Sequence, residues 1–452
     1  MKSLLFAAIT GSVLAILPQL ASAQPAPSEP SSQVTVPEAA NDARWTLRLA
    51  YGGKDWFAED AWLMHGPGNS AKLVVIGGAE RLLTGTRKRD GSYALRSENG
   101  DEVITLDLAP RGDTLAGQWK RGPGSGEAVA TPAATTLQPT EFGPLFDTIA
   151  TTLDTRFFDP RFNGRDWQAI RSSYRTEAAA AANEGAFVLA VRAMLRELGV
   201  SHLGFFHSPP PPPADPAAPT EPDTRQIVAW MKPEPGIGYM RIARFNGLPK
   251  WRTVLDKGFE ELADTHTLIL DLRENGGGNL SLGMRLADHL IPERRSFGLY
   301  TSRVGLTAAG VDGIDQFPPD RIATYDGYEQ DEFLDMLFTR GAVSLVSGGR
   351  AFTRPRRTYI LIDKDTGSAA EAVAAEMKEQ GAILVGERTA GAMLVSVRER
   401  VAPDWILRFP AGDFRTGRGA VVEGVGVEPT HAVNPRRAYD IALDMAKRDA
   451  PK

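Results

Sequence analysis

Along the first third of the chain, apolar and polar residues alternate in short runs. Between residues 43 and 130 these runs are separated by turn sequences such as Asp90-Gly91 and Asn99-Gly100. A period of two is typical of half-buried strands, and an Asx-Gly pair between two such runs favours a hairpin. The strand candidates are 45–50, 72–76, 92–96, 103–108 and 114–119. The pattern predicts a small antiparallel β-domain, a barrel or a sandwich, over residues 42–132.

After a Thr/Pro/Ala-rich stretch, the apolar residues recur every three or four positions. Phe146, Ile149 and Leu153 begin this pattern, and it continues to Leu198 with acidic and basic residues between the apolar ones. Such spacing places the apolar side chains on one face of a helix. The pattern therefore predicts a helical subdomain over residues 140–207.

Strand-like and helix-like segments alternate over the last half of the chain. A proline-rich linker at residues 208–222 comes first. The predicted strands are 225–231, 238–245, 267–271, 359–362 and 382–385, and the predicted helices are 251–263, 280–290 and the segment after Ser368. This alternation predicts a mainly parallel sheet with helices on its faces, an α/β core over residues 223–440. Residues 293–356 show little periodicity, and we interpret them as an insertion that shapes a cleft.

The N-terminus has the three parts of a secretory signal. Lys2 supplies a positive charge, residues 4–17 are apolar, and Ala21-Ser22-Ala23 provides the small residues of a cleavage site. Residues 1–23 are therefore interpreted as a signal peptide, and the Pro/Ser/Ala-rich residues 24–41 as a disordered linker. No other stretch approaches the ~20 apolar residues that a membrane span requires. These features predict a periplasmic or secreted protein that does not span a membrane.

The composition of the chain argues against several kinds of partner, nucleophile and cofactor. The 452 residues carry a net charge of −5, which argues against nucleic acid as the main partner. The chain has no cysteine, so it lacks a lipid-attachment Cys, disulfides, a Cys nucleophile and thiolate metal ligands. Its histidines are scattered along the sequence. The sequence therefore implies no metal and no organic cofactor.

Ser368 stands between a predicted strand and a predicted helix. The apolar residues 359–362 lead through a turn that ends at Gly367, and the residues after Ser368 are strong helix formers. The N–H groups and the dipole at a helix N-terminus favour negative charge, which suits a serine nucleophile and the oxyanion that its attack forms. Taken alone, the stretch favours the simpler alternative that Ser368 is only a helix N-cap.

Three consecutive glycines, Gly276, Gly277 and Gly278, follow the predicted strand at 267–271. Glycines allow close approach of the backbone and can open several N–H groups into a concave anion site. A phosphate loop is the alternative interpretation. However, the Gly-Lys-Ser/Thr of Walker A and the Gly-x-Gly-x-x-Gly that opens a dinucleotide-binding helix are both absent. The three glycines therefore favour an oxyanion-binding loop.

The remaining candidates for catalytic residues are His202, with its neighbour Ser201, and Glu423. His202 follows the predicted helices and lies next to a hydroxyl, and an ordinary histidine pKa of ~6.5 suits a general base. The alternative is an ordinary loop histidine. Glu423 lies in an apolar, glycine-rich segment, where a carboxylate is costly unless it is paired. It is either a residue that orients a histidine or an exposed strand residue.

Together these segments resemble the tail-specific, carboxyl-terminal processing peptidases, and within them the branch of the tricorn core and the interphotoreceptor retinoid-binding protein. The matching segments, in the order of the family, are 159–167, 195–206, 236–242, 270–278, 367–371, 385–391 and 423–429. They span roughly residues 142–433. The β-domain before residue 131 lies outside the resemblance.

The resemblance implies a serine peptidase with a ClpP/crotonase-like core. Ser368 would be the nucleophile and His202 its general base, and an acyl-enzyme would form and then be hydrolysed. Glu423, together with Ser201, would orient His202. The substrate would be a peptide or an unfolded protein.

The resemblance also implies an oxyanion hole made by the Ala369 N–H and one N–H of the three glycines, with Gly277 as the first candidate. Two departures from the family pattern matter. In the Ser–Lys branch a lysine follows Thr-x-Gly, whereas Ala392 stands at that position here, so this chain lacks that dyad and depends on His202. Residues 208–234 are far too few for the PDZ module that many members carry.

More than one function remains open. An exported serine peptidase requires Ser368, His202 and Glu423 to converge. A non-catalytic protein that binds an apolar ligand or a peptide on the same scaffold would leave these residues dispersed around an apolar cavity. The intact candidate residues favour the peptidase. A weaker alternative places the function in the β-domain, as a binder of a cell-wall or lipid ligand. An oligomer is compatible with each of these.

Overall fold

The structure is a computed structural model. It describes residues 42–78, 80–97, 103–210, 227–347 and 357–449. Residues up to 136, with 183–185, form one compact unit, and the rest of the chain forms a second. The expected signal peptide and the linker at 24–41 lie outside the described residues, as does most of the proline-rich linker at 208–222.

The first unit is a closed β-barrel. Its eight strands run antiparallel in chain order, each pairs with the next, and the last pairs with the first. The strands are β1 (Ala43–Tyr51), β2 (Lys54–His65), β3 (Ser70–Val75), β4 (Leu82–Arg87), β5 (Tyr93–Ser97), β6 (Ile104–Arg111), β7 (Thr114–Arg121) and β8 (Gly124–Pro132). The prediction of an antiparallel β-domain is confirmed, and of the two predicted forms the structure shows the barrel.

Strands β2, β4 and β8 have no counterpart among the predicted strands. β4 contains Gly85, where a Cβ atom would lie 1.9 Å from the carbonyl oxygen of Ala94. Glycine weakens the alternating pattern of a strand, yet here it allows two backbones to approach closely. In β8 the inward positions are the small residues Ala128 and Ala130. The packing of the barrel thus requires residues that carry little strand signal.

Apolar side chains from every strand fill the barrel. They include Leu47, Leu63, Leu73, Leu83, Leu95, Leu106, Leu115 and Ala130, all of them buried. Removal of this apolar surface from water is the main contribution to the stability of such a domain. The barrel therefore has a hydrophobic core of its own.

The second unit contains two sheets. Its strands are β9 (Gly204–His207), β10 (Val228–Glu234), β11 (Ile237–Ile242), β12 (Thr267–Asp271), β13 (Arg295–Ser302), β14 (Ala323–Tyr325), β15 (Ala342–Ser347), β16 (Arg357–Ile362), β17 (Ile383–Gly386), β18 (Val395–Ala402), β19 (Trp405–Thr416) and β20 (His431–Ala432). The first sheet has the order β10-β11-β12-β16-β17-β20, and all neighbours except the antiparallel pair β10–β11 are parallel. The α/β fold class is confirmed.

Helices cover both faces of the parallel sheet. The helices of the protein are α1 (Pro139–Arg156), α2 (Trp167–Ala179), α3 (Glu184–Glu197), α4 (Pro249–Glu261), α5 (Leu280–Leu290), α6 (Arg303–Ala309), α7 (Gln330–Arg340), α8 (Ala369–Glu379) and α9 (Pro435–Arg448). Alanines of α9 pack on one face of the sheet, against side chains of β12, β16 and β17. Apolar residues of α4, α5 and α8 pack on the other face. Both faces are therefore buried, which explains the continuous apolar runs of these strands.

The second sheet has the order β14-β15-β13-β19-β18, and β9 also pairs with β19. The weak periodicity of residues 293–356 predicts no helix or strand there, yet β13, α6, β14, α7 and β15 lie between residues 295 and 347. β13 pairs with β19, more than a hundred positions later in the chain. Because this pairing is distant in sequence and its strands mix polar with apolar residues, local patterns do not reveal it.

The parallel pairing of β12 with β16 positions the candidate site. Asp271 lies opposite Leu361, close to the C-terminus of each strand. Since the C-termini of parallel strands meet at one edge of the sheet, the loops that follow begin side by side. These two loops carry Gly276–Gly278 and Ser368.

Candidate active site

Ser368 precedes α8 in a conformation that residues other than glycine rarely adopt, with φ +53° and ψ −127°. The turn before it is held by the loop after β12. The Thr366 hydroxyl donates to the Leu272 carbonyl at 2.9 Å, and the Gly367 N–H donates to the Asn275 carbonyl at 2.9 Å. A strained serine at a strand-to-helix turn, fixed by its surroundings, is typical of a functional site.

Gly277 lies directly against Ser368. A Cβ atom at Gly277 would lie 2.7 Å from the Ser368 Cβ and 2.8 Å from the Ala369 nitrogen. The φ of Gly277 is +86°, which also favours glycine. Only glycine therefore allows this loop to approach the N-terminus of α8 so closely. The structure brings the predicted glycine loop, Ser368 and Ala369 together.

The N–H of Gly277 already has an acceptor. It donates to Oδ1 of Asn275 at 2.9 Å, and Asn275 is itself buried. The N–H groups of Gly276, Gly278 and Ala369 donate to no group in the described part of the chain. These three N–H groups are the ones still available to an oxyanion.

Ser201 connects Glu423 to His202. Its Oγ lies 2.9 Å from Oε2 of Glu423 and 2.7 Å from Nδ1 of His202. Glu423 also accepts hydrogen bonds from the N–H groups of Ser201 and Met393, each at 2.7 Å. The carboxylate thus acts on the imidazole through the serine hydroxyl.

These partners determine the tautomer of His202. An ionised carboxylate only accepts hydrogen bonds, so the single hydroxyl proton of Ser201 points to Glu423. The Ser201 oxygen must then accept from His202, which places the imidazole proton on Nδ1. Nε2 keeps its lone pair, as a general base requires.

The surroundings of His202 keep its imidazole neutral. Loss of solvent is the larger cause and the positive charge of Arg408 the smaller, and together they lower the pKa of His202 from 6.5 to about 4. His202 also has a positive φ, +61°. In the part of the chain that the structure describes, no hydrogen bond joins His202 to the Ser368 hydroxyl.

Glu371, on the first turn of α8, holds the Ser368 turn against a neighbouring loop. Its Oε2 accepts from the N–H groups of Ser368 at 3.1 Å and Ala392 at 2.8 Å. Its Oε1 accepts from the Gly391 N–H at 2.7 Å and from the Thr389 hydroxyl at 2.5 Å. Glu371 is fully buried, and this burial raises its pKa although the hydrogen bonds act in the opposite direction. Its carboxylate thus joins two parts of the site.

The loop held by Glu371 leads directly to the histidine. Ala392 donates to Glu371, and the next residue, Met393, donates to Glu423, which binds Ser201 beside His202. A continuous series of hydrogen bonds therefore runs from the Ser368 turn to His202. Sequence reasoning assigned no role to Glu371, although the Ser-x-x-Glu spacing at a helix start is the signal of a capping box and could have indicated it.

Comparison with known proteins gives matches to two family models. Residues 236–433 match the model of peptidase family S41, and residues 138–196 match the model of the tricorn protease C1 domain. The chain therefore resembles peptidase family S41 over residues 236–433. The S41 match contains Ser368, Glu423 and the three glycines, whereas Ser201-His202 lies between the two matched regions. The resemblance to tail-specific peptidases found in the sequence is confirmed.

One curated relative of this chain is a chloroplastic C-terminal processing peptidase of Tetradesmus obliquus. It is 23% identical over 202 residues, which cover 44% of this chain and 35% of the relative. Among solved structures, a candidate peptidase from Parabacteroides merdae has a TM-score of 0.50 at 17% identity and covers 70% of this chain and 100% of its own. A photosystem II D1 C-terminal processing protease has a TM-score of 0.42 at 17% identity and covers 66% of this chain and 94% of its own. The likeness to the Parabacteroides structure supports the fold.

Among the residues that the structure describes, no three His, Cys, Asp or Glu side chains are placed to hold a metal ion. The helices of the described ranges do not include one that is long and apolar enough to cross a membrane.

Proposed function

We propose that this protein is a serine peptidase that hydrolyses peptide bonds through an acyl-enzyme on Ser368, with His202 as general base. The observation that carries the proposal is the hydrogen-bond series from Glu423 through Ser201 to Nδ1 of His202. This series leaves Nε2 of His202 unprotonated. Hydrogen bonds of Glu371 and Glu423 to residues 392–393 connect it to the turn at Ser368. The match of residues 236–433 to peptidase family S41 supports the class of reaction.

In the proposed reaction, Nε2 of His202 takes the hydroxyl proton of Ser368 as Oγ attacks the carbonyl carbon. The carbonyl oxygen becomes an oxyanion at the N-terminus of α8, where the Ala369 N–H and that of Gly276 or Gly278 stabilise it. His202 then protonates the leaving amine, and the peptide bond breaks. Water that gives its proton to His202 attacks the acyl-enzyme, releases the acid and restores Ser368.

Two parts of the proposed reaction need explanation. They are the choice of the oxyanion donor and the formation of the hydrogen bond between Ser368 and His202. The engaged N–H of Gly277 favours Gly276 or Gly278 as the oxyanion donor. The hydrogen bond between Ser368 and His202 is proposed to form when substrate binds, because catalytic hydrogen bonds often tighten only in the substrate complex.

We also propose that the protein is exported. The basic, apolar and small-residue parts of residues 1–23 support a cleaved signal peptide and a periplasmic or secreted location. Peptides or unfolded proteins outside the cytoplasm are then the proposed substrates.

A fluorophosphonate probe tests the proposed nucleophile and base. We expect protein lacking residues 1–23 to be labelled and to cleave unfolded casein. Ser368→Ala should abolish labelling, and His202→Ala should slow it by about a hundredfold or more, because the general base is lost. Ser173→Ala and His431→Ala, exposed residues on α2 and β20, are matched controls and should behave as wild type.

The alternative is a non-catalytic binding protein on the same scaffold. Well-folded wild-type protein that takes no probe and cleaves no casein would overturn the peptidase proposal and favour this alternative. Labelling that persists in Ser368→Ala would show that a different residue is the nucleophile.

A further inference from the structure

Asn275 connects three parts of the candidate site, although the proposed reaction assigns it no role. The residue is fully buried. Its Nδ2 donates to the carbonyl of Ile242, the last residue of β11, at 2.9 Å, and its Oδ1 accepts from the Gly277 N–H at 2.9 Å. Its main-chain carbonyl accepts from the Gly367 N–H at 2.9 Å. One residue therefore links β11, the glycine loop and the turn that carries Ser368.

The carbonyl of Asn275 determines where the next N–H points. In a trans peptide the C=O of one residue and the N–H of the following residue point in opposite directions, and the described residues contain no cis peptide bond. The Asn275 carbonyl points to Gly367, just before Ser368. The Gly276 N–H therefore points away from this turn, which makes it unsuitable as an oxyanion donor.

The same rule applies to the peptide between Gly277 and Gly278. The Gly277 carbonyl accepts from the Phe245 N–H at 2.8 Å, so the Gly278 N–H points away from Phe245. Phe245 continues the chain from β11, and β12 lies between β11 and β16 in the sheet. The direction away from Phe245 is thus the side of β16, and the turn after β16 carries Ser368. Gly278 is the loop glycine whose available N–H faces the proposed nucleophile.

We propose that Asn275 is a positioning residue of the oxyanion hole, which holds the Gly278 N–H in place beside the Ala369 N–H. The inference rests on the proposed function. The side-chain oxygen of Asn275 fixes Gly277, the residue before Gly278, and the amide nitrogen fixes the side chain itself on β11. Asparagine suits this position because its amide is both a donor and an acceptor.

Asn275→Ala tests the position of the donor. Alanine keeps the main-chain hydrogen bond to Gly367 but loses both side-chain hydrogen bonds, so the glycine loop is free to shift relative to Ser368. We expect kcat to fall by about a hundredfold with KM nearly unchanged, because the oxyanion forms only in the transition state. A peptide aldehyde forms a tetrahedral adduct with Ser368 whose oxygen occupies the same hole, so its inhibition constant should increase by the same factor.

Asn275→Asp distinguishes positioning from general stability. Aspartate has the size of asparagine, but an ionised carboxylate has no donor for the Ile242 carbonyl and places a negative charge near the oxyanion. The protonated acid again has a donor and an acceptor. We therefore expect kcat of this variant to increase as the pH falls from about 8 to about 5, whereas kcat of wild type stays constant there because the pKa of His202 is about 4.

Two features of the surroundings favour protonation of the introduced acid in this range. Burial raises its pKa, and the carboxylate of Asp363, which binds the N–H of the residue before Asn275, acts in the same direction. The other charged side chains at these strand ends form ion pairs, Asp271 with Arg273 and Glu274 with Arg241.

The matched control is Asn434→Asp. Asn434 is exposed, and its Oδ1 accepts from the N–H two residues later, as that of Asn275 does, but at the start of α9. Aspartate caps a helix as well as asparagine does. This variant should keep the wild-type kcat and its constant value over the same pH range. Thermal unfolding of each variant, followed at both ends of that range, measures its stability separately from its activity.

The two proposals fail in different ways. A wild-type kcat in Asn275→Ala, or a constant kcat in Asn275→Asp, overturns the role of Asn275 and leaves the peptidase proposal intact. A kcat that falls only in parallel with the unfolding temperature, without recovery at low pH, assigns Asn275 to the general stability of the fold and also overturns its role. If Asn275→Ala does not fold, Asn275→Asp decides alone. Wild type that takes no probe and cleaves no substrate overturns the proposed function and this inference together.

Discussion

At the scale of single residues, the state of His202 depends on Ser201. The serine hydroxyl has one proton, and the acceptor-only carboxylate of Glu423 takes it, so His202 must donate from Nδ1. In a triad the carboxylate contacts the imidazole directly. Here the carboxylate contacts the imidazole through one more hydroxyl, and the role that we propose for Glu423 is to position His202.

The pH dependence of cleavage should reveal the state of His202. Because its pKa is lowered to about 4, the imidazole is protonated, and inactive as a base, only below that pH. We expect kcat/KM for an amide-ended peptide to rise with pH through about 4, and not through the ordinary 6.5. Arg408→Gln should move this rise to higher pH, since it removes the smaller of the two causes. Burial is unchanged, so the rise should remain below 6.5.

The measurement is kcat/KM from about pH 3 to about pH 7.5, one unit on either side of the two pKa values. Arg400→Gln, on β18, is the control for removal of an arginine charge. A wild-type profile that rises near 6.5 would contradict the expected burial of the imidazole. A profile that does not move in Arg408→Gln would show that the arginine charge has no effect on His202.

The sequence could indicate these residues but not their connections. The stretch around Ser368, taken alone, favours a helix N-cap, and the resemblance to a family is what indicates Ser368, His202 and Glu423 together. The tautomer of His202 and the engaged N–H of Gly277 could not be predicted, because both depend on atoms brought together from distant loops. Asn275, which takes that N–H, is an unremarkable polar residue until its burial is known.

At the scale of secondary-structure elements, α8 contacts two loops of the candidate site. Its N-terminus faces the glycine loop after β12, and its Glu371 holds residues 389–392. Both follow from where β12 and β16 end in the parallel sheet. The helix therefore positions the proposed nucleophile and supports the segment that leads to Glu423.

Glu371→Gln should loosen this segment. The carboxylate accepts four hydrogen bonds, two at each oxygen. The amide nitrogen of Gln is a donor, so it would face either the Gly391 N–H or the Ala392 N–H, depending on which oxygen it replaces. A buried donor left without an acceptor costs about 1–3 kcal/mol. We expect hydrogen-exchange protection of residues 389–393 to fall by about tenfold or more, as measured by mass spectrometry of peptic fragments.

Glu177→Gln, on the exposed side of α2, is the matched control and should leave this protection unchanged. Equal protection in Glu371→Gln and wild type would mean that the segment is held by its other contacts. The hydroxyl of Thr389, which also accepts from the Val427 N–H at 2.7 Å, is the first of these.

Prediction succeeded for some strands and failed for others for a physical reason. β12 and β16 are buried on both faces and therefore appear as uninterrupted apolar runs. β18 reads Val-Ser-Val-Arg-Glu-Arg-Val-Ala, and its charged residues conceal a strand that is only partly buried.

At the scale of the whole molecule, the chain combines a barrel that closes on itself with a second unit that carries all the candidate catalytic residues. The barrel is outside the resemblance and outside both family matches. Closure pairs every barrel strand on both sides, so no strand edge is left exposed. A closed barrel with a filled interior should not need the rest of the chain in order to fold.

Residues 42–136 expressed alone should therefore unfold cooperatively in urea, with a near-ultraviolet circular dichroism signal from the packed aromatic residues, Trp119 among them, that is lost in the same transition. Leu73 and Lys72, neighbours on β3, provide a matched pair because one points into the barrel and the other into solvent. Leu73→Ala should lower the free energy of unfolding by about 2–5 kcal/mol, since it opens a cavity in the core. Lys72→Ala should change it by less than about 0.5 kcal/mol.

A fragment without a cooperative transition, or with equal effects of the two substitutions, would contradict an independent barrel core. The buried Glu184, which accepts from Arg44 at 2.9 Å and from Trp62 at 3.0 Å, would then be the first addition to test, because the fragment lacks it.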